Sequence, residues 1–355
     1  MLKKQSLERF HRKMRDRAAE EGIPIFGGFE LTPRCNLSCR MCYIKYEDAS
    51  GGKELTARQW IELGRSAAGS GMLIAFLTGG EPLMREDFRD IYTGFNRLGL
   101  RLNLFTNGTL IDEEFAKWLS QAPPAGVDVT LYGASENTYG TLCDNKNSYK
   151  KVINGIELLI KYNINIRIKT ILVKANAGDY GKMREMAKSY EAEFLPTMLV
   201  HGSRVRGISD IGDERLDPEE IYAYSARDID QYDCCEVDLG RLEENYRRLP
   251  PMFCSAGKSS FFIGWKGNMV PCPLFTGRWP QPLETGFSEA WERVRQETAG
   301  IPGPEECRDC SSRVFCPACP PRLKLETGSY KGHSDYICSL ARERERLYGE
   351  TVKKV

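Results

Sequence analysis

Histidine is scarce in this chain of 355 residues, with His11, His201 and His333 its only three. Acid–base chemistry built on imidazole therefore has few candidates, and His11 and His333 read as solvent-exposed. No apolar run approaches the roughly 20 residues that span a bilayer, so no membrane partner is expected. The first residues, Met1-Leu-Lys-Lys-Gln-Ser-Leu-Glu-Arg, are charged from the start and lack the apolar core of a secretory signal, which predicts a cytoplasmic protein. Neither sign of charge is in excess: 50 basic residues stand against 49 acidic ones. That balance excludes a nucleic-acid partner held mainly by charge. Internal repeats and low-complexity tracts are lacking as well.

Cysteine, by contrast, is plentiful, at 13 residues. A reducing compartment disfavours disulfides, and regularly spaced thiols there point to metal. Cys35, Cys39 and Cys42 form a C-x3-C-x2-C triad just after a short apolar run. Soft thiolates suit iron–sulfur sites, and a cubane [4Fe–4S] cluster takes four ligands. Three protein ligands leave one iron open to a group that is not protein. Cys143, Cys234 and Cys235 fall outside the regular spacing and read as scattered thiols.

Between Ile25 and Gly207 short apolar runs alternate with amphipathic stretches. The runs Phe26–Leu31, Met72–Leu77, Leu100–Phe105, Val127–Leu131, Ile164–Val173 and Phe194–Val200 predict strands. Thr56–Ala68, Met84–Leu98, Asp112–Leu119, Ser148–Tyr162 and Asp179–Tyr190 predict helices, the first with Thr56 as N-cap. Six such alternations predict an α/β fold, a partial (β/α)6 barrel, with functional groups at the carboxyl ends of its strands. The expected divisions are a helical lead-in over 1–24, the barrel over 25–207, an acidic linker with one or two helices over 208–250, and a small Cys-rich α+β domain over 251–355. Aliphatic residues thin out beyond Pro250, so that last region is expected to need metal to stay folded.

The triad, followed one strand later by Thr78-Gly79-Gly80-Glu81-Pro82, resembles the radical SAM superfamily. The resemblance implies that S-adenosylmethionine chelates the open iron and that Gly79, Gly80 and Glu81 grip its amino group. Glycines allow close backbone approach, and a carboxylate suits an ammonium. Met41 holds the place where the family usually has an aromatic residue near the adenine; it reads equally as a packing residue. Asn107 and Thr130, at later strand ends, are further cofactor-binding candidates. Lys169, in an otherwise apolar strand, needs an anion or a wet cavity. Its partner is either the cofactor carboxylate or a structural ion pair. Arg204 and Arg206 are weaker candidates of the same kind.

Cys254, Cys272, Cys307, Cys310, Cys316, Cys319 and Cys338 resemble the SPASM domain of radical SAM enzymes, with one residue fewer before Cys319. The family implies two auxiliary [4Fe–4S] clusters. Cys307, Cys310, Cys316 and Cys338 would hold the distal one, and Cys254, Cys272 and Cys319 the nearer one. The nearer cluster takes Cys234 or Cys235 as its fourth ligand, or keeps an open iron. Taken alone, the C-x2-C pairs also suit zinc.

The implied activity is reductive cleavage of S-adenosylmethionine and hydrogen abstraction from a peptide or protein by the 5′-deoxyadenosyl radical, an oxidoreductase and maturase chemistry. Thioether or carbon–carbon crosslinking of a ribosomally made peptide leads. Formylglycine formation, oxidation of a small molecule or cofactor precursor, and a non-catalytic binding module are the alternatives. Cys272 is followed by Pro273 and Leu274 with no carboxylate, which counts against formylglycine formation. Only about 24 residues precede the first strand, so leader recognition is expected from a separate protein, from 208–250, or not at all. An electron donor such as flavodoxin or ferredoxin is implied. Asp144, Tyr132 or water stand as alternative proton acceptors.

Overall fold

The computed structural model describes residues 13–45, 52–208, 211–226 and 254–352. After a helix over 13–21 (α1), strand β1 (Phe26–Glu30) starts the sheet. Five further strands follow with helices between them: β2 (Ile74–Thr78), β3 (Arg101–Thr106), β4 (Gly126–Thr130), β5 (Ile166–Ile171) and β6 (Glu193–Thr197). The crossover helices are α2 (Ala57–Gly69), α3 (Phe88–Asn96), α4 (Glu113–Leu119), α5 (Glu136–Cys143), α6 (Ser148–Lys161) and α7 (Tyr180–Ser189). All neighbouring pairs among β1 to β6 are parallel. Thr56 caps α2 as expected: its hydroxyl accepts from the Gln59 amide, and the Gln59 side chain accepts from Thr56 N–H. This reciprocal box satisfies two otherwise orphaned donors.

Each predicted strand and helix is present to within a few residues, and the mostly parallel α/β sheet matches the expected partial barrel. One helix is unforeseen. In α5 the segment Glu136-Asn-Thr-Tyr-Gly-Thr-Leu-Cys143 has a weak apolar stripe, although Ser135 caps it by accepting from the Thr138 amide. It stops at Asp144, which adopts a left-handed φ of 56°.

The sheet also continues past β1. Strand β7 (Ser260–Ile263) pairs parallel with β1, and β8 (Met269–Val270) pairs antiparallel with β7, giving the order β6-β5-β4-β3-β2-β1-β7-β8. The Cys-rich region is thus fastened to the barrel by main-chain hydrogen bonds. Phe29 of β1 packs edge-on against Phe95 of α3 and Phe261 of β7, tying the two parts into one core. The region also has a small apolar cluster of its own, formed by Ala256, Phe262, Val270, Phe275 and Ile301. It ends in α9 (Phe287–Ala299), α10 (Pro320–Thr327) and α11 (Asp335–Val352).

Of the acidic stretch 208–250, residues 211–226 are described. They hold a 3-10 turn and α8 (Pro218–Ala226), and two adjacent residues clamp them before that helix. Glu214 pairs with Arg40 of the triad loop at 2.8 Å, while buried Arg215 pairs with Glu326 at 2.6 Å and stacks over Tyr336. Cys234 and Cys235 lie outside the described residues, as does His11. Among the described residues no helix is long and apolar enough to cross a membrane.

Buried Arg85 fastens the loop after β2. Its guanidinium donates to the carbonyls of Leu31 and Leu55 and to the carboxylates of Asp87 and Glu54. Arg85→Met would strand two buried carbonyls and two partly exposed carboxylates. The expected cost is roughly 2–4 kcal/mol, read as a lowered denaturant midpoint with unchanged slope.

Candidate functional site

The triad loop leaves the carboxyl end of β1 and is held in place by the loops after β2 and β3. Gly80 N–H donates to Thr32 O and Glu81 N–H to Arg34 O, both at 2.8 Å. A Cβ on Gly80 would lie 2.4 Å from Arg34 O, so glycine is required here for backbone to meet backbone. The close approach expected toward a ligand is thus made, at this position, toward the triad loop itself. Glu81 is fully buried. One of its oxygens accepts from Leu83 N–H and the Thr106 hydroxyl, the other from Asn107 N–H. Burial raises its pKa to about 7, against the lowering effect of those donors. The carboxylate therefore ties the ends of β2 and β3 together.

Asn107 reaches the triad directly: its amide nitrogen lies 3.7 Å from the Cys35 sulfur and donates to Asn36 at 2.9 Å. Leu37 N–H also points at the Cys35 sulfur. Met41 is buried in the main core. Thr130 and Lys169 face each other in register across β4 and β5. The Lys169 amine sits 2.6 Å from Asp128, itself buried, and 4.0 Å above the Phe105 ring. Of the two partners open to Lys169, the structure supplies the ion pair, and Arg167 shares the same carboxylate.

Cys143, which the spacing left outside the regular set, joins the site, and so does Arg204, one of the weaker candidates. Cys143, at the end of α5, is buried with its sulfur 3.5 Å from that of Cys39. Arg204, after β6, donates to buried Glu30 of β1 at 2.7 Å and lies over the Tyr43 ring. It also reaches the Pro273 carbonyl at 3.5 Å, beside Cys272. Tyr132 is buried with its pKa well above 10, which makes its hydroxyl a donor and not a base. Asp144 is exposed and caps a helix. His201 is held neutral by burial, with Arg322 and Arg215 adding to the effect, and its pKa falls to about 3. His333 is exposed beside Glu306 and Asp335.

The C-terminal thiols separate into two sets by which of them perturb one another. Burial raises Cys272 to about 12, with Cys319 and Cys254 adding to it. Burial raises Cys316 to about 11, with Cys338, Cys307 and Cys310 adding to it. Each set has a buried arginine nitrogen without a hydrogen-bond partner among the described residues. Arg322 acts on Cys272 and Cys319, while Arg313 lines a pocket with Cys307 and Cys316. A buried guanidinium without an anion is costly, and an anionic thiolate cluster would supply the missing charge. Among the described residues no three His, Cys, Asp or Glu side chains converge tightly enough to hold one metal ion. A tetrahedral zinc draws its sulfurs to within about 4 Å of each other. A cubane spreads its thiolates, one to each iron. The donor chemistry and the orphaned cations fit iron–sulfur clusters.

Burial pushes Cys35 up to about 12 and Cys42 up to about 11. Ligation requires thiolates, and below these values each pH unit raises the thiolate fraction about tenfold. Loading of cluster-free protein is therefore expected to quicken as pH rises from about 7 to about 9, measured as iron and sulfide bound over time. Gly80→Ala is expected to displace the triad loop, so that iron analysis shows loss at that site and retention at the C-terminal thiols.

Residues 29–187 match the Radical SAM superfamily profile. The AdoMet-dependent heme synthase of Methanosarcina barkeri is 26% identical over 346 residues, covering 90% of this chain and 97% of that protein. The sporulation killing factor maturation protein SkfB of Bacillus subtilis is 26% identical over 258 residues, covering 71% of this chain and 61% of that protein. In fold, the chain is similar to Streptococcus suis SuiB bound to S-adenosylmethionine, with a TM-score of 0.70 at 16% identity over 89% of this chain and 77% of SuiB. It is also similar to anSMEcpe with bound AdoMet, with a TM-score of 0.67 at 17% identity over 93% of this chain and 98% of that one. Triad, glycine loop and sheet converge with these comparisons on a radical SAM domain over residues 29–187, in a chain whose fold is similar to that of SuiB and anSMEcpe.

Proposed function

We propose that this enzyme abstracts hydrogen from a peptide or protein to install a thioether or carbon–carbon crosslink in a ribosomally made peptide. The observation that carries the reading is Arg204, which joins β1, the triad loop and the turn beside Cys272 in one buried contact. It fixes the nearer C-terminal thiol set relative to the radical-generating site, as a chemistry that removes an electron from a substrate radical requires.

When bound, the clusters and S-adenosylmethionine supply the electron and the 5′-deoxyadenosyl radical. Cys35, Cys39 and Cys42 would hold the first cluster, Cys254, Cys272 and Cys319 the nearer auxiliary one, and Cys307, Cys310, Cys316 and Cys338 the distal one. Glu81 and the Gly79–Gly80 backbone keep the triad loop against β2 and β3, and Glu81 retains unused acceptor capacity for an ammonium. Asn107 steadies the Cys35 sulfur. Cys39 is buried and Cys35 and Cys42 are half-buried, which limits the access of water to the site. SkfB is named for maturation of a peptide factor, and one SuiB structure holds the precursor peptide SuiA; these likenesses support a peptide substrate for this chain.

A second reading, oxidation of a small cofactor precursor, is favoured by one observation. The M. barkeri heme synthase aligns over nearly the whole of both chains.

Anaerobic incubation with dithionite and S-adenosylmethionine is expected to release 5′-deoxyadenosine. Replacing Cys35, Cys39 and Cys42 together by alanine is expected to abolish that release while the C-terminal iron stays. The intact protein is expected to bind about twelve irons, four in each cubane. Deuterium passing into deoxyadenosine from a labelled peptide encoded beside this gene supports the crosslinking reading. Transfer from a labelled small precursor instead would assign the second.

A further inference from the structure

Four thiols crowd the radical site, not the three of the triad. The fourth belongs to Cys143, buried at the last position of α5. Its position is fixed by main chain as well as packing. Ser38 N–H of the triad loop donates to Cys143 O at 3.2 Å, and Arg40 N–H donates to Leu142 O at 3.0 Å. Helix α5 therefore ends against the triad loop, and the left-handed turn at Asp144 carries the chain away. Tyr132 lies near the same thiols, and burial, with Cys39, Cys143, Cys42 and Cys35 adding to it, raises its pKa well above the usual phenol value. Tyr132 is held in turn, because its amide donates to Tyr139 of α5 at 3.1 Å.

The separation of 3.5 Å between the Cys39 and Cys143 sulfurs decides between two roles. Two thiolates on different irons of one cubane stand further apart than this, since each binds its own metal. Here the Cys39 thiol donates to the Cys143 sulfur; with Cys39 deprotonated as a ligand it can only accept, and a Cys143 thiol donating back to it stands at this distance. We infer that Cys143 is not a ligand but a positioning residue: its thiol pairs with the Cys39 sulfur as a hydrogen-bond donor that raises the reduction potential of the N-terminal cluster. Reduction adds negative charge to the cluster and its sulfurs, so donors aimed at a ligand sulfur stabilise the reduced form more than the oxidised one. The pair thereby brings the cluster within easier reach of a biological reductant. This inference rests on the reading that the triad holds a cubane.

The test is the midpoint potential of the N-terminal cluster in the reconstituted full chain, followed by its electron paramagnetic resonance signal, with iron and sulfide measured in parallel. Cys143→Ala is expected to keep the iron of wild type and shift the midpoint to more negative values. Cys143→Ser, which keeps a donor, is expected to recover part of the shift. An iron-replete Cys143→Ala with the wild-type midpoint overturns the inference. So does a Cys143→Ala that loses iron from this site while Cys143→Ser keeps an altered cluster, since that marks a ligand. Failure of the wild-type triad to bind any cluster would instead defeat the underlying reading.

Discussion

One buried carboxylate holds the working end of this sheet together. Glu81 takes hydrogen bonds from Leu83, Thr106 and Asn107, while its own N–H and that of Gly80 fasten the triad loop to the end of β2. Three consecutive strand ends are thereby locked into one surface. A carboxyl group buried this completely is tolerated only when fixed donors meet its oxygens, and those donors are available only if β2 and β3 are in register. The cluster loop has its shape because this carboxylate is satisfied.

Electrostatics extend that constraint outward. Two other buried carboxylates of the sheet have cations placed on them: Arg204 on Glu30, and Arg167 with Lys169 on Asp128. At the two C-terminal thiol sets the balance is reversed, and Arg313 and Arg322 keep buried nitrogens without hydrogen-bond partners among the described residues. The protein neutralises its own acids near the barrel but leaves cations waiting beside sulfur. That asymmetry suits groups whose negative charge arrives with the metal cluster.

The strand–helix alternation was legible because apolar runs bounded by polar, amphipathic segments leave a parallel sheet as the economical solution. The triad and Gly-Gly-Glu were legible from spacing. Helix α5 was not, since Gly140 and a run of polar residues mask its periodicity; only the Ser135 cap announced it. Missing α5 meant missing Cys143, whose partner lies 104 positions away in the chain. Lys169 could be read as needing an anion, but its choice of Asp128 depends on which residue of β4 stands beside it.

The amino-acid order alone indicated which thiols suit iron, roughly where the barrel strands begin and that those strands run parallel, because these rest on side-chain chemistry and short-range periodicity. The tertiary structure decided that β7 joins β1, that Glu81 is a brace between loops, that Arg204 links the two cysteine regions and that a fourth thiol faces Cys39. Those outcomes depend on register and on contacts between segments far apart in the chain, and no local pattern encodes a distance across the fold.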